Sequence, residues 1–240
     1  NFRESLALLT NIVLSPSINS NEFEKEKSVV VDEIKQQNDQ PDERLFNYFI
    51  SRAWKNNNYG KSILGTENDV QSLKISDLEN FHKSFYNREN CCIAIAGNIP
   101  KNTFEEIYEN NFSYLYKKER YQKSNHPKLN AISRIGREEI NFNNLEFSRV
   151  LMSWSIPSLK NQRLNIGFEI LASILSVGRN SRLVKVLKEE KNLVQSIYVD
   201  LHGGEFGGLL IMEACCDCKN LKKVEKEINQ IIKKFVSFEN

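Results

Sequence analysis

The sequence predicts an α+β fold in which antiparallel sheets are covered by helices. Segments with helical spacing of apolar residues alternate in a loose pattern with segments typical of buried strands. Two of the strand-like segments, 194–201 and 209–215, are joined by the glycine-rich stretch HGGEFGG. Because this stretch joins strand to strand, it favours an antiparallel hairpin over a phosphate-binding loop, which leads from a strand into a helix.

The first half of the chain is predicted to be mainly helical. Phe2–Leu14 has an amphipathic pattern that ends at Ser15-Pro16. The helix that carries EKEKSVVVDEI is expected to be capped near Asn21 and to be interrupted at Pro41, after which helical spacing resumes. The other predicted elements are a loop at 56–66, a helix from Ser76, a buried strand CCIAIAG closed by Gly97, and a helix at 103–112.

The second half is predicted to contain a sheet with helices around it. A polar, lysine-rich stretch at 117–137 has no periodicity and is the predicted linker between regions 1–116 and 138–240. The predicted elements after it are strands at 138–142 and 147–156, a helix at 162–175 that restarts after SVGRNSRL and runs to about Lys191, the two hairpin strands, and an amphipathic helix at 221–235. We interpret the glycine and arginines of GRNSRL as a helix junction tied to nearby acids, not as a phosphate site.

Composition and charge narrow the classes of partner. A formal net charge of +2 gives no electrostatic reason to expect nucleic acid or an anionic membrane as the main partner. No apolar run approaches the roughly 20 residues of a membrane span, and the N-terminus lacks the pattern of a signal peptide. The five cysteines are Cys91, Cys92, Cys215, Cys216 and Cys218. This odd number, packed into two strand-like stretches, predicts core or strand thiols and a reducing compartment such as the cytoplasm.

Glu26 and Glu33 are the residues that ordinary helix chemistry explains least well. In a helix they share one face with Val29 and Val30, since seven residues make almost two turns. Other acids of the segment have a lysine three residues away, as Glu24 has Lys27 and Asp32 has Lys35. No cation stands at those offsets from Glu26 or Glu33. Carboxylates among valines are costly to bury unless a metal ion, a cation or a hydrogen-bonding group compensates them.

Three stretches of the chain resemble the pitrilysin or insulinase-type zinc metallopeptidases, the inverzincins. FEKEKSVVVDEIKQQNDQP is similar to the family's helix with two glutamates seven residues apart. The stretch from NYGKSILGT to CCIAIAGNI and the later ILSVGRNSRLVKVLKEEKNLVQSI resemble family segments that follow in the same order. The resemblance therefore covers nearly the whole chain.

This resemblance implies a zinc-dependent endopeptidase that hydrolyses peptides by metal-activated water. It implies two α/β subdomains, the first of them truncated at its N-terminus. It also implies that Glu33 is the third zinc ligand and that Glu26 supports the site from behind the ligands. The partners implied are a peptide substrate and a homologous second half, on the same polypeptide or a separate subunit.

The sequence departs from the family pattern in two ways. Its histidines are His82, His126 and His202, and none belongs to the HxxEH motif that supplies the other two zinc ligands and the water-activating glutamate. By the family's spacing that motif falls before Asn1, so we expect these 240 residues alone to hold no zinc and to be inactive. Lys188 and Gln195 stand where the family's non-catalytic half has an arginine and a tyrosine, so the chain resembles the zinc-bearing half.

Two other hypotheses remain open at the level of sequence. The chain could belong to a structural or assembly subunit that kept the fold and lost the metal, in which case degenerate residues stand in place of HxxEH. It could also be an α+β binding module whose two glutamates are merely solvated, in which case both carboxylates are exposed.

Overall fold

The computed structural model describes residues 2–54, 57–87, 90–98, 102–112, 135–142 and 145–237. These residues divide into two compact units, one within Asn1–Gln36 and Leu64–His126 and the other within Gln37–Ile63 and Pro127–Asn240. Residues 37–63 thus group with the C-terminal part of the chain, whereas the sequence division placed them within 1–116. The predicted linker at 117–137 lies outside the described residues except for 135–137, and it stays a prediction.

Unit 1 consists of helices. They are α1 (Phe2–Leu14), most of α2 (Ser20–Asp39), α4 (Glu67–Ser72), α5 (Ile75–Phe85) and α6 (Thr103–Ile107), which continues as a π-helical turn at Tyr108–Phe112. Its small core joins α2 to α4 through Val31, Ile34 and Val70. The helix α2 begins at Ser20 because the Asn19 side chain accepts a hydrogen bond from the Glu22 amide at 2.9 Å, two residues before the expected cap at Asn21.

Unit 2 is built on a three-stranded antiparallel sheet in the order β1-β3-β2. The strands are β1 (Ser148–Ile156), β2 (Ser196–Gly203) and β3 (Gly208–Cys216), so the predicted hairpin is confirmed. Alternate residues of the central strand point to opposite faces. Leu210, Met212 and Ala214 face the main core, and Leu209 and Ile211 face a second cluster.

Helices cover both faces of this sheet. On the main-core face lie α7 (Gln162–Ser176), a π-helical segment at Val184–Glu190 and α8 (Leu221–Ser237). On the other face lies α3 (Pro41–Ala53), which begins at Pro41 and packs through Ile50, Ala53 and Trp54. The predicted α+β class, with an antiparallel sheet between helices, is therefore confirmed.

The outer edge of β2 is partly closed by side chains. The Val199 amide donates to Ser176 Oγ at 3.0 Å, and the Leu201 amide donates to Asp200 Oδ1 at 2.8 Å. These two amides point away from β3, and no strand among the described residues pairs on that side, so hydroxyl and carboxylate oxygens accept their hydrogen bonds there instead.

Two predicted strands are wrong. Residues 91–96 of CCIAIAG form no strand, and Cys91 and Cys92 are exposed, as is Cys218, while Cys215 and Cys216 are buried as predicted. Residues 138–142 are also not a strand. A strand is defined by its ladder, and neither segment pairs with a strand in the described part of the chain.

Side chains hold the 135–142 segment instead. Glu138 accepts from Tyr48 Oη at 2.6 Å and pairs with Arg52 at 2.8 Å, and Arg44 lies 4.9 Å from the centre of the Phe142 ring. The segment is therefore fastened to α3 without a backbone ladder.

Candidate functional site

The candidate site lies on α2, whose packed face is distinct from its glutamate face. Val31 and Ile34 are buried in the unit 1 core, and Val30 packs beside them. At 100° per residue, Glu26 and Glu33 lie about 20° apart around the helix axis and about 10 Å apart along it. The face that carries them is about 100° away from the packed face. The helix thus presents both carboxylates in one direction.

Both glutamate side chains are exposed, and so is Val29 between them, with 58% of its surface accessible. Of the two valines expected on this face, only Val29 lies there, since Val30 turns toward the core. Within the described residues neither carboxylate makes an ion pair. Two lysines of α2 pair as the sequence predicted, Lys27 with Glu24 at 3.3 Å and Lys35 with Asp32 at 3.4 Å.

The residues present do not by themselves fit a catalytic zinc site. No group of three or more histidine, cysteine, aspartate or glutamate side chains converges for a metal ion in the part of the chain that the structure describes. Catalytic zinc takes three protein ligands and a water. Glu33 supplies a single carboxylate, with two oxygen atoms. Its role as third ligand therefore stays a prediction, since the other ligands would have to come from outside the described residues.

The described histidines have structural surroundings. His82 Nε2 lies 2.8 Å from the carbonyl oxygen of Val13, and its ring stacks on Tyr86 at 4.6 Å, which ties α5 to the end of α1. His202 is exposed on β2 and meets the edge of Phe46 at 5.9 Å. His126 lies outside the described residues. Lys188 and Gln195 are both exposed.

The GRNSRL junction is a turn fixed by its own residues. Gly178 adopts a positive φ of 84°, and the Ser181 amide and hydroxyl both donate to the Gly178 carbonyl. Arg179 pairs with Glu189 at 3.6 Å, as predicted, whereas Arg182 lies over the Phe235 ring at 4.8 Å. One arginine binds an acid and the other an aromatic ring.

A charged cluster that sequence reasoning missed lies on the α3 side of the sheet. Arg149 on β1 donates to Cys215 Sγ at 2.9 Å and to Asp42 at 3.1 Å, and its Nε lies 3.8 Å from Glu213. Burial raises the pKa of Glu213 despite the nearby guanidinium. The only sequence signal was an arginine within the apolar strand SRVLMSW, and its partners are 66 and 107 residues away.

The described helices include none that is both long enough and apolar enough to cross a membrane.

Two family models together cover most of the chain. The model described as "Insulinase (Peptidase family M16)" matches residues 1–67, which include α2 and both glutamates. The model described as "Peptidase M16 inactive domain" matches residues 72–239.

Individual relatives agree with these matches. The chain is 28% identical over 197 residues to an uncharacterized zinc protease of Rickettsia bellii, covering 82% of this chain and 46% of the relative. It is 23% identical over 228 residues to an uncharacterized zinc protease of Bacillus subtilis, covering 95% and 54%. The chain thus spans about half the length of these curated relatives.

Solved structures share the fold. A protease from Helicobacter pylori superposes with a TM-score of 0.84 at 18% identity, over 100% of this chain and 59% of that one. Pitrilysin superposes with a TM-score of 0.66 at 15% identity, over 95% of this chain and 25% of that one. With the second family model matching residues 72–239, well over half of the 240 residues, the chain belongs to the insulinase family of peptidases, peptidase family M16.

Proposed function

We propose that the chain is part of a zinc-dependent endopeptidase of the insulinase type, in which Glu33 is a zinc ligand and Glu26 supports it. The observation that carries this proposal is the pair of exposed carboxylates on one face of α2, without an ion-pair partner among the described residues. The pair lies inside the region that matches the insulinase family model. A carboxylate that meets no cation of its own unit is available to a metal ion held by other ligands.

We also propose that these 240 residues alone are inactive. They contain no HxxEH motif, and a single glutamate cannot retain zinc against water and buffer. The substrate class is peptides, and the partner is a homologous second half. We further propose a reducing compartment such as the cytoplasm, which the odd number of cysteines favours over a disulfide framework.

The first experiment reads the coding sequence upstream of Asn1 and looks for HxxEH. If the motif is there, the protein that includes it is purified and its zinc content and peptide cleavage are measured. We expect about one zinc per protein, Glu33→Gln to abolish stoichiometric zinc, and Glu26→Gln to weaken zinc binding about 10- to 100-fold.

Glu22→Gln provides the matched control, since Glu22 stands one turn before Glu26 on the same exposed side of α2. This variant is expected to keep its zinc and its activity. Equal zinc content in the Glu33→Gln variant and the unchanged protein would refute the assigned ligand.

The second candidate function is that of a non-catalytic structural or assembly subunit. The match of residues 72–239 to a family model described as an inactive domain favours it. The exposure of both glutamates does not separate it from the zinc peptidase, since exposure is the sign expected of an α+β binding module with solvated glutamates. Degenerate residues in place of HxxEH, together with absence of zinc from the longer protein, would select this candidate.

A further inference from the structure

The helix α8 has one packed face and one strongly basic face. Val224 and Ile228 are fully buried in the unit 2 core. The opposite side carries five exposed lysines, which we call the lysine face: Lys222, Lys223, Lys226, Lys233 and Lys234. Residues 222 to 234 span about 18 Å along the helix, and the five lysines occupy about a third of its circumference.

The acids of α8 do not neutralise this face. Glu225 binds Arg137, with 2.8 Å between Nε and Oε1, and this hydrogen bond lowers the pKa of Glu225. Glu227 binds Lys191 at 2.6 Å. Within the described part of the chain none of the five lysines forms an ion pair. A chain with a formal charge of +2 thus concentrates, on one side of one helix, five cations that have no ion-pair partner among the described residues.

The C-terminal end of the lysine face adds an apolar feature. A shallow depression of about 530 Å³ is lined by Ile232, Lys233, Lys234, Val236 and Ser237. Val236 is 69% exposed beside the two lysines. Aliphatic side chains next to ammonium groups match a ligand that is apolar and anionic at once.

From these observations we propose that the lysine face of α8 docks the protein onto an anionic membrane surface. The helix is already folded on its core, so docking carries no cost of ordering it. Its convex basic side meets a plane along its whole length, and Val236 meets the headgroup boundary while the lysines meet anionic headgroups.

Nucleic acid fits this surface less well. Stacking of bases on exposed aromatic side chains is a main source of affinity for single strands. Phe235, the aromatic residue of α8, lies under the Arg182 guanidinium at 4.8 Å and is not free to stack. The apolar depression likewise has no counterpart on a phosphate backbone.

The test measures how much of the full 240-residue chain sediments with phosphatidylcholine vesicles. One set of vesicles contains about 30% phosphatidylserine, to represent a strongly anionic membrane, and the other set contains none. We expect binding only to the anionic vesicles, and its loss near 0.5 M salt, where the screening length is about 4 Å. Each lysine near the surface contributes about fivefold to partitioning, so Lys222→Gln/Lys226→Gln/Lys233→Gln should weaken binding about 100-fold.

A matched triple variant, Lys25→Gln/Lys61→Gln/Lys74→Gln, removes the same charge from exposed lysines away from α8. It should bind within about fivefold of the unchanged chain, a loss no larger than that of one surface lysine. Circular dichroism checks that both variants stay folded, as expected for exposed positions and for glutamine, a good helix former. Equal losses in the two variants, no preference for anionic vesicles, or tighter binding to duplex DNA through the same three lysines would each overturn the proposal.

Discussion

The Arg149 side chain connects segments of unit 2 that are far apart in the sequence. Its guanidinium reaches Asp42 at the start of α3 and Cys215 in β3. Its side chain is 18% exposed and Cys215 is buried, whereas the Asp42 side chain is 60% exposed, so water screens the pair with Asp42 more than the contact with Cys215. Burial raises the pKa of Cys215, so its sulfur stays a neutral thiol and is a weak acceptor for the guanidinium.

We expect Arg149→Met to lower the free energy of unfolding by about 1–3 kcal/mol, because Glu213 then remains half-buried without a cation. Urea unfolding followed by circular dichroism measures the change. Arg179→Met is the control, since its side chain is 87% exposed and its pair with Glu189 should contribute under about 1 kcal/mol. Equal losses for the two substitutions would contradict a special role for Arg149.

Glu213 and Glu225 should give opposite pH dependence. Burial raises the pKa of Glu213, so its ionisation opposes folding, and its contribution is lost as pH rises through the folded-state pKa. The hydrogen bond from Arg137 lowers the pKa of Glu225, so its contribution is present above the unfolded-state pKa and lost on acidification.

We therefore expect the free energy of unfolding of the Glu213→Gln variant to rise relative to that of the unchanged chain as pH increases from about 3 to 7, across the ordinary pKa of a glutamate. The free energy of unfolding of the Glu225→Gln variant should fall relative to that of the unchanged chain over the same range. Unfolding free energies of the three proteins at several pH values test the signs, and parallel slopes for the two variants would show the assignment to be wrong.

At this scale the sequence predicts what is local. The pairs of Lys27 with Glu24 and Lys35 with Asp32 follow from a spacing of three residues in a helix. The Arg149 cluster draws on residues 42, 149, 213 and 215, and no local rule brings them together. Glu26 and Glu33 could be placed on one face from their spacing alone, but their exposure depends on what packs around α2.

Among the elements, the β2–β3 hairpin requires a glycine at position 204 because the Tyr59 side chain leaves no space for a Cβ there. A Cβ added at Gly204 would stand 2.6 Å from the Tyr59 ring. The Tyr59 hydroxyl accepts from the Phe206 amide at 3.1 Å, and its ring meets Trp54 edge-on at 5.4 Å. Tyr59 is thus held from both ends and cannot move aside freely.

We expect Gly204→Ala to lower the unfolding free energy by about 1–3 kcal/mol through this overlap. Combined with Tyr59→Ala, the same substitution should cost under about 0.5 kcal/mol, which a double-mutant cycle in urea measures. Gly167→Ala is the control, because Gly167 lies exposed within α7 with open space around it and should stabilise by about 0.5–1 kcal/mol. Additive costs for Gly204 and Tyr59 would rule out the overlap as the cause.

Elements that depend on local sequence signals could be predicted, whereas strands that depend on a pairing strand elsewhere in the chain could not. The hairpin followed from HGGEFGG, and α8 from its apolar spacing. The short helix α4 was missed although Thr66 and Asp69 form a capping box, with the Thr66 amide donating to Asp69 at 3.1 Å and the Asp69 amide to Thr66 at 3.1 Å. The strands expected at 91–97 and 138–142 failed because apolar content alone supplies no ladder partner.

On the scale of the whole molecule, the two units differ greatly in the size of their cores. Unit 2 buries a contiguous cluster around Leu183, Leu187 and Met212. The unit 1 core consists of Val31, Ile34 and Val70, and its helix α1 leaves Leu8, Leu9 and Ile12 more than half exposed.

We expect amide hydrogen exchange to be slower in unit 2 than in unit 1. The amides of β3, which are paired on both sides and buried, should exchange most slowly, and those of α1 and α5 at least about 100-fold faster, since local opening follows local burial. Exchange measured by mass spectrometry on peptides of each unit provides the test. Uniform protection across both units would mean that they unfold as one.

The partly closed edge of β2 limits self-association at high concentration. An open strand edge is a template on which another chain can add a strand, and repeated addition produces fibrils. Because Ser176 and Asp200 already occupy the outward amides of Val199 and Leu201, a second molecule would have to displace them before it could add there. Two small polar side chains thus help to keep a sheet protein from polymerising through this strand.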